Sequence, residues 1–94
     1  PGSSDTHADD AAQVRVILET ALGQLPFLPE EKRPALDQAL RAALAVSHGE
    51  PLDATALVHA TNAAMYAAAE SVETPGGQSV VALMAHIPKV LGGF

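Results

Sequence analysis

Residues 52–72 constrain the fold more than any other stretch of the chain. The stretch is rich in alanine and has no internal glycine or proline. Alanine loses no side-chain entropy on entering a helix, so helix propensity is high over about five turns. Asp53 can accept hydrogen bonds from the first free backbone N–H groups of such a helix. These signals predict a helix over residues 54–72, whose small side chains let other helices approach closely.

Apolar residues at helical spacing predict three further helices. They recur every three or four residues, which places them on one side of a helix with a period of 3.6. The predicted helices cover residues 10–25, 33–47 and 78–91. Their apolar stripes are Val14, Ile17, Leu18, Ala21, Leu22 and Leu25 in the first, Leu36, Leu40, Ala43 and Leu44 in the second, and Val80, Leu83, Met84 and Ile87 in the third.

Prolines and glycines define the connections between these helices. Pro26 disfavours a helical backbone at the residue before it, so we expect an ordered apolar connection there, with Phe27 filling one end of the core. Pro34 would delete a hydrogen bond from a helix that began at Pro29, which favours a short turn over residues 29–32 before the second helix. The last helix has two alternative starts, one capped by Thr74 and one at Gln78 after two glycines that weaken a first turn.

Four helices with short connections predict an all-α fold, a small four-helix bundle in which neighbouring helices are roughly antiparallel. A chain of 94 residues suits one domain. Residues 1–4 resemble the remnant of a cleaved affinity tag, so we expect residues 1–8 to form a disordered N-terminal leader and residues 9–94 the helical domain. The tag-like residues 1–4 also indicate a domain excised from a larger protein.

The composition argues against several classes of function. The chain has 11 acidic and 5 basic residues, a net charge of −6, which disfavours binding to nucleic acid phosphates. It has no cysteine, so disulfides, thiolate nucleophiles and cysteine-bearing zinc sites are excluded. The uncharged run of residues 74–88 is too short to span a bilayer. We therefore expect neither nucleic acid nor a membrane as a partner, and a cytoplasmic location.

The sequence predicts no catalytic, cofactor-binding or metal site. None of the four histidines has another histidine or a carboxylate four residues away, the helical spacing that would let two side chains share a metal ion. The acidic pairs Asp9–Asp10 and Glu30–Glu31 lie at predicted helix starts, where carboxylates stabilise the helix dipole. There is no phosphate loop, dinucleotide fingerprint or nucleophile elbow. We expect a protein that is not an enzyme.

Two groups of residues are candidates for an interaction site. His59, Asn62 and Tyr66 lie on one polar side of the alanine-rich helix, and tyrosine often anchors interfaces, although a solvated helix face would have the same pattern. Near the carboxyl end the chain has more apolar residues than are required to form one buried side of a helix. These residues either dock on the bundle or form a partner surface. They are Val81, Met84, Val90, Leu91 and Phe94.

Together these features favour a protein-interaction module. It would be a docking, adaptor or oligomerisation domain that binds another protein domain or a second copy of itself. A second hypothesis is a small-ligand-binding or regulatory domain with a pocket between the last two helices, near His59, Met65 and Met84. A third is an acidic inhibitor comparable to antitoxin proteins.

Overall fold

The structure is a computed structural model. It describes the backbone of residues 2–49 and 52–91, and within these ranges it describes the side chains from residue 10 onward. Within these ranges the chain forms helices and turns and no strand, which confirms the predicted all-α class. The connection between the first two helices contains two short 3₁₀ turns, Leu25–Phe27 and Glu30–Lys32. The helices are α1 (Gly2–Leu22), α2 (Arg33–Ser47), α3 (Ala54–Ala69) and α4 (Pro75–Val90).

Neighbouring helices run antiparallel around one core. Lys32 just before α2 and Glu70 just after α3 form an ion pair with an N–O distance of 3.4 Å, so the start of α2 lies beside the end of α3. The main chain of Phe27, beyond the end of α1, packs against Gly76 at the start of α4. In the resulting bundle α1 and α3 each pack between α2 and α4.

The predicted apolar stripes face the interior. Burial of these side chains removes apolar surface from water, which is the main favourable term in folding. The alanines of α3 leave room for α2 and α4 to pack close to it on either side. The buried hydrophobic residues of the four helices are Ala11, Val14, Leu18, Ala21, Leu36, Leu40, Ala43, Leu57, Ala64, Ala68, Val80, Met84 and Ile87.

Side-chain caps determine where α3 and α4 begin. Asp53 accepts a hydrogen bond from the Ala56 N–H at 2.9 Å, as predicted. Thr74 Oγ1 accepts one from the Gly77 N–H at 3.1 Å, so of the two predicted starts of α4 the one at Thr74 is confirmed and the one at Gln78 is wrong. Gly77 is buried directly beneath the α3–α4 turn, where a Cβ would collide with the Ser71 carbonyl group. The glycine therefore serves close packing.

Besides α4, the helices α1 and α3 have other bounds than predicted, and α1 ends at Leu22 instead of residue 25. α1 begins at Gly2, so its backbone takes in most of the segment that we expected to be a disordered leader. No glycine or proline lies between Ser3 and Leu22, and each residue added to an existing helix gains a hydrogen bond. α3 ends at Ala69, earlier than predicted, because residues 70–73 turn to bring the chain into α4. The predicted bounds of α2 are confirmed.

Phe27 does not fill the core, and that prediction is wrong. Its side chain is 65% exposed, while the next residue, Leu28, is buried. Arg33 accounts for part of this arrangement, since its guanidinium donates to the main-chain oxygens of Leu28, at 3.1 Å, and Pro26, at 3.2 Å. These bonds hold the connection in the orientation that turns Leu28 inward.

Candidate functional site

A groove of about 360 Å³ lies between α1 and α4 on the surface of the bundle. It is formed where the middle of α1 passes the last two turns of α4. Since the two helices are antiparallel, residues from distant parts of the sequence form its opposite walls. The lining residues are Ala12, Gln13, Val16 and Ile17 from α1, and His86 and Val90 from α4.

Helical spacing explains why these side chains form walls. Gln13, Val16 and Ile17 are three or four residues apart on α1, and His86 and Val90 are four apart on α4, so each set lies on one side of its helix. Ile17 and Val90 are half-buried and pack against the core. Together they form the floor of the groove.

Val16 is the most exposed of the large apolar side chains that line the groove. It is 62% exposed, although Val14 and Leu18 on either side of it in the sequence are fully buried. The helical turn places it outside the core stripe, next to the gap between α1 and α4. An additional apolar side chain brought into this gap could therefore bury Val16 without any change in the core.

The described lining residues include no Asp, Glu, Lys or Arg, and two of them have polar side chains. The amide of Gln13 and the imidazole of His86 stand on opposite walls, and His86 is exposed. An amide can both donate and accept hydrogen bonds, and so can a neutral imidazole. The groove is therefore suited to an apolar group that is flanked by polar ones.

The predicted polar face on α3 is a separate surface. Tyr66 is 71% exposed, His59 is exposed and Asn62 is half-buried. None of the three lines the α1–α4 groove. The structure thus keeps this face apart from the groove.

The predicted apolar surface near the carboxyl end is divided between core and groove. Met84 and Leu91 are each only 2% exposed and belong to the core, so of the two alternatives these residues dock on the bundle and do not form an interaction surface. Val81 is half-buried against the core, and Val90 lines the groove. Phe94 lies outside the described residues.

Sequence reasoning missed the α1 wall of the groove. Ile17 was assigned to the core stripe, and Ala12, Gln13 and Val16 were assigned no role. The one signal that could have identified the wall is Val16, a β-branched apolar residue that falls outside the stripe through Val14 and Leu18. The spacing of the histidines argues against a metal site but does not place His86 in a groove.

Other kinds of site find no support in the described ranges. No group of three or more His, Asp or Glu side chains there is arranged to hold a metal ion. The hypothetical pocket near Met84 is not the groove found here, since Met84 is enclosed in the core. The Ser71 hydroxyl is buried without a hydrogen-bond partner, and at 2% exposure it is closed to a ligand. Among the helices described, none is both long and apolar enough to cross a bilayer.

Comparisons with models of protein families, with curated proteins and with solved structures gave no match.

Proposed function

We propose that this domain is a protein-interaction module whose α1–α4 groove binds an amphipathic helix of another protein. The observation that carries the proposal is Val16, which is 62% exposed inside an apolar groove of about 360 Å³. Helix-in-groove recognition places the apolar side of a partner helix into such a gap between two helices. Burying Val16 in this way would return an apolar side chain from water to a packed environment, at about 25 cal/mol per Å².

The dimensions of the groove indicate how much of a partner it can hold. At about 1.5 Å of rise per residue, Ala12 to Ile17 and His86 to Val90 each span roughly 6–8 Å along the helices. That length is a little more than one helical turn, about 5.4 Å. The groove therefore accommodates two apolar side chains spaced i and i+4 on the bound helix. Gln13 and His86 would contact its polar flanks.

The expected affinity is modest. Each apolar anchor contributes about 1.5–3 kcal/mol when it is fully buried, and association costs several kcal/mol in lost freedom. Together with the burial of Val16, two anchors support a dissociation constant of roughly micromolar or weaker, since 1 μM corresponds to about −8 kcal/mol. Such an affinity is suited to a docking domain that engages and releases its partner.

The absence of cysteine is compatible with the cytoplasmic location expected from the sequence.

The proposal can be tested by selecting helical peptides from a displayed library in which one side of the helix is randomised. Binding of the selected peptides is then measured on wild type, on Val16→Asp and on Val72→Asp. Val72 is a matched control because it is also an exposed valine, at 48%, and lies in the turn before α4. It is roughly 20 Å along α4 from His86, and both variants add one negative charge.

We expect the selected peptides to bind wild type and Val72→Asp alike and to lose at least tenfold in affinity for Val16→Asp. The selected sequences should share two apolar residues spaced i and i+4. Peptides that bind all three proteins equally would place the binding surface elsewhere and overturn the proposal. Sedimentation of wild type and Val16→Asp tests the alternative occupant, since a dimer lost only in Val16→Asp would assign the groove to a second copy.

A further inference from the structure

Most basic side chains of this acidic chain are already engaged within it. Four of the five have a hydrogen-bond or ion-pair partner among the described residues. Arg15 donates to the Ser47 main-chain oxygen, Lys32 pairs with Glu70, Arg33 donates to the Leu28 and Pro26 main-chain oxygens, and Arg41 pairs with Asp37. These four lie outside the lining of the groove.

Lys89 is the remaining base, and it borders the groove. Val90 and His86 both line the groove. Lys89 directly precedes Val90 and follows His86 by three residues, which is just under one helical turn. Its side chain is exposed, and within residues 10–49 and 52–91 it has no ion-pair or hydrogen-bond partner. A lysine of this kind can lay its methylene stem along an apolar rim and still keep the ammonium group in water.

Among the described side chains, no carboxylate forms an ion pair with Lys89. None of the described lining residues is a carboxylate, and Asp10, two residues before Ala12 on α1, is not among the partners of Lys89. Glu70 and Glu73 lie at the opposite end of α4, roughly 20 Å away. That distance exceeds the Debye length, about 8 Å at physiological ionic strength, so these two carboxylates are largely screened from Lys89.

From this placement we infer that the groove selects an acidic amphipathic helix, in which an Asp or Glu one turn from an apolar anchor pairs with Lys89. The inference rests on the proposed function and adds the charge of the partner. In the bound state the anchor occupies the groove beside Val16 and Val90. The carboxylate then meets the ammonium group of Lys89 at the rim. A basic helix would bring two like charges together at the same position and bind less well.

The test compares peptides selected on wild type with peptides selected on Lys89→Glu. We expect Asp and Glu to be enriched next to the apolar anchors in the first set, and Lys and Arg in the second. For one acidic peptide, Lys89→Gln should weaken binding about 2- to 5-fold, the range of an exposed ion pair. Lys89→Glu should weaken it by about the square of that factor, because attraction is replaced by repulsion of similar size.

A double-mutant cycle isolates the pair. If the carboxylate of the peptide contacts Lys89, Lys89→Gln should weaken the acidic peptide and leave its Glu→Gln version unchanged. Peptides that lose binding to Val16→Asp but show neither acidic enrichment nor coupling to Lys89 would overturn this inference and leave the groove as the binding site. Peptides that bind Val16→Asp as well as wild type would overturn the proposed function itself.

Discussion

Gly77→Ala is expected to destabilise the bundle, although alanine is the better helix former. A Cβ on Gly77 would overlap the carbonyl group of Ser71 and lie 3.1 Å from the Val72 nitrogen. These atoms belong to the main chain of the α3–α4 turn, so no side-chain rotation can relieve the collision. The turn must move away, which also stretches the bond of 3.1 Å from the Gly77 N–H to Thr74 Oγ1.

Three terms determine the size of this effect. Overpacking in a buried region costs about 1–3 kcal/mol, and loss of a side-chain cap costs about 0.5–2 kcal/mol. The higher helix propensity of alanine offsets about 1 kcal/mol of that cost. The net loss is about 2 kcal/mol, a substantial part of the roughly 5–14 kcal/mol expected for a chain of this length. The midpoint of thermal unfolding should fall by about 8–16 °C.

The assay is urea and thermal unfolding followed by circular dichroism, with Gly23→Ala as the matched control. A Cβ on Gly23 would meet its nearest neighbour, the Thr20 carbonyl oxygen, at 3.2 Å, and the residue is exposed. The control should therefore change the free energy of unfolding by no more than about 0.5 kcal/mol. If Gly77→Ala is as stable as Gly23→Ala, the close approach of α4 to the preceding turn is refuted.

Three further substitutions test other features. Asp53→Ala removes the acceptor 2.9 Å from the Ala56 N–H and should lower the free energy of unfolding, measured in urea, by about 1 kcal/mol. Asp53→Asn keeps an acceptor at this position and should retain most of that stability. Pro88 lies inside α4 and gives no N–H to the Met84 carbonyl, so Pro88→Ala should raise the thermal midpoint; a lower midpoint would contradict this reasoning. Tyr66→Ala should change stability by less than about 0.5 kcal/mol and leave peptide binding intact, and a loss of binding would move the site to α3.

The helices could be predicted from the sequence where local signals decided them. Asp53 determines the start of α3 through its own hydrogen bond, and the spacing of Leu36 and Leu40 identifies the buried side of α2. Local reasoning failed where contacts between distant segments decided the outcome. Phe27 is exposed and Leu28 is buried in a connection whose main chain accepts hydrogen bonds from Arg33, and no periodicity encodes these contacts.

The groove was only partly predictable for the same reason. Val90 was identified as surplus apolar surface, but its opposite wall comes from residues more than 70 positions earlier in the chain. A stripe of apolar residues shows which side of a helix is buried. It does not show which gap between two helices stays open. Met84 and Leu91 illustrate the same limit, since the sequence leaves open whether they dock on the bundle or form a partner surface, and in the structure both complete the core.

The most direct test of the groove uses a single thiol. The chain has no cysteine, so Val16→Cys and Val72→Cys each give one labelling position for an environment-sensitive fluorophore. On titration with a selected helical peptide, the fluorophore at position 16 should shift its emission to the blue as the groove is covered, and the one at position 72 should not respond. A response at position 72 with none at position 16 would contradict a binding site between α1 and α4.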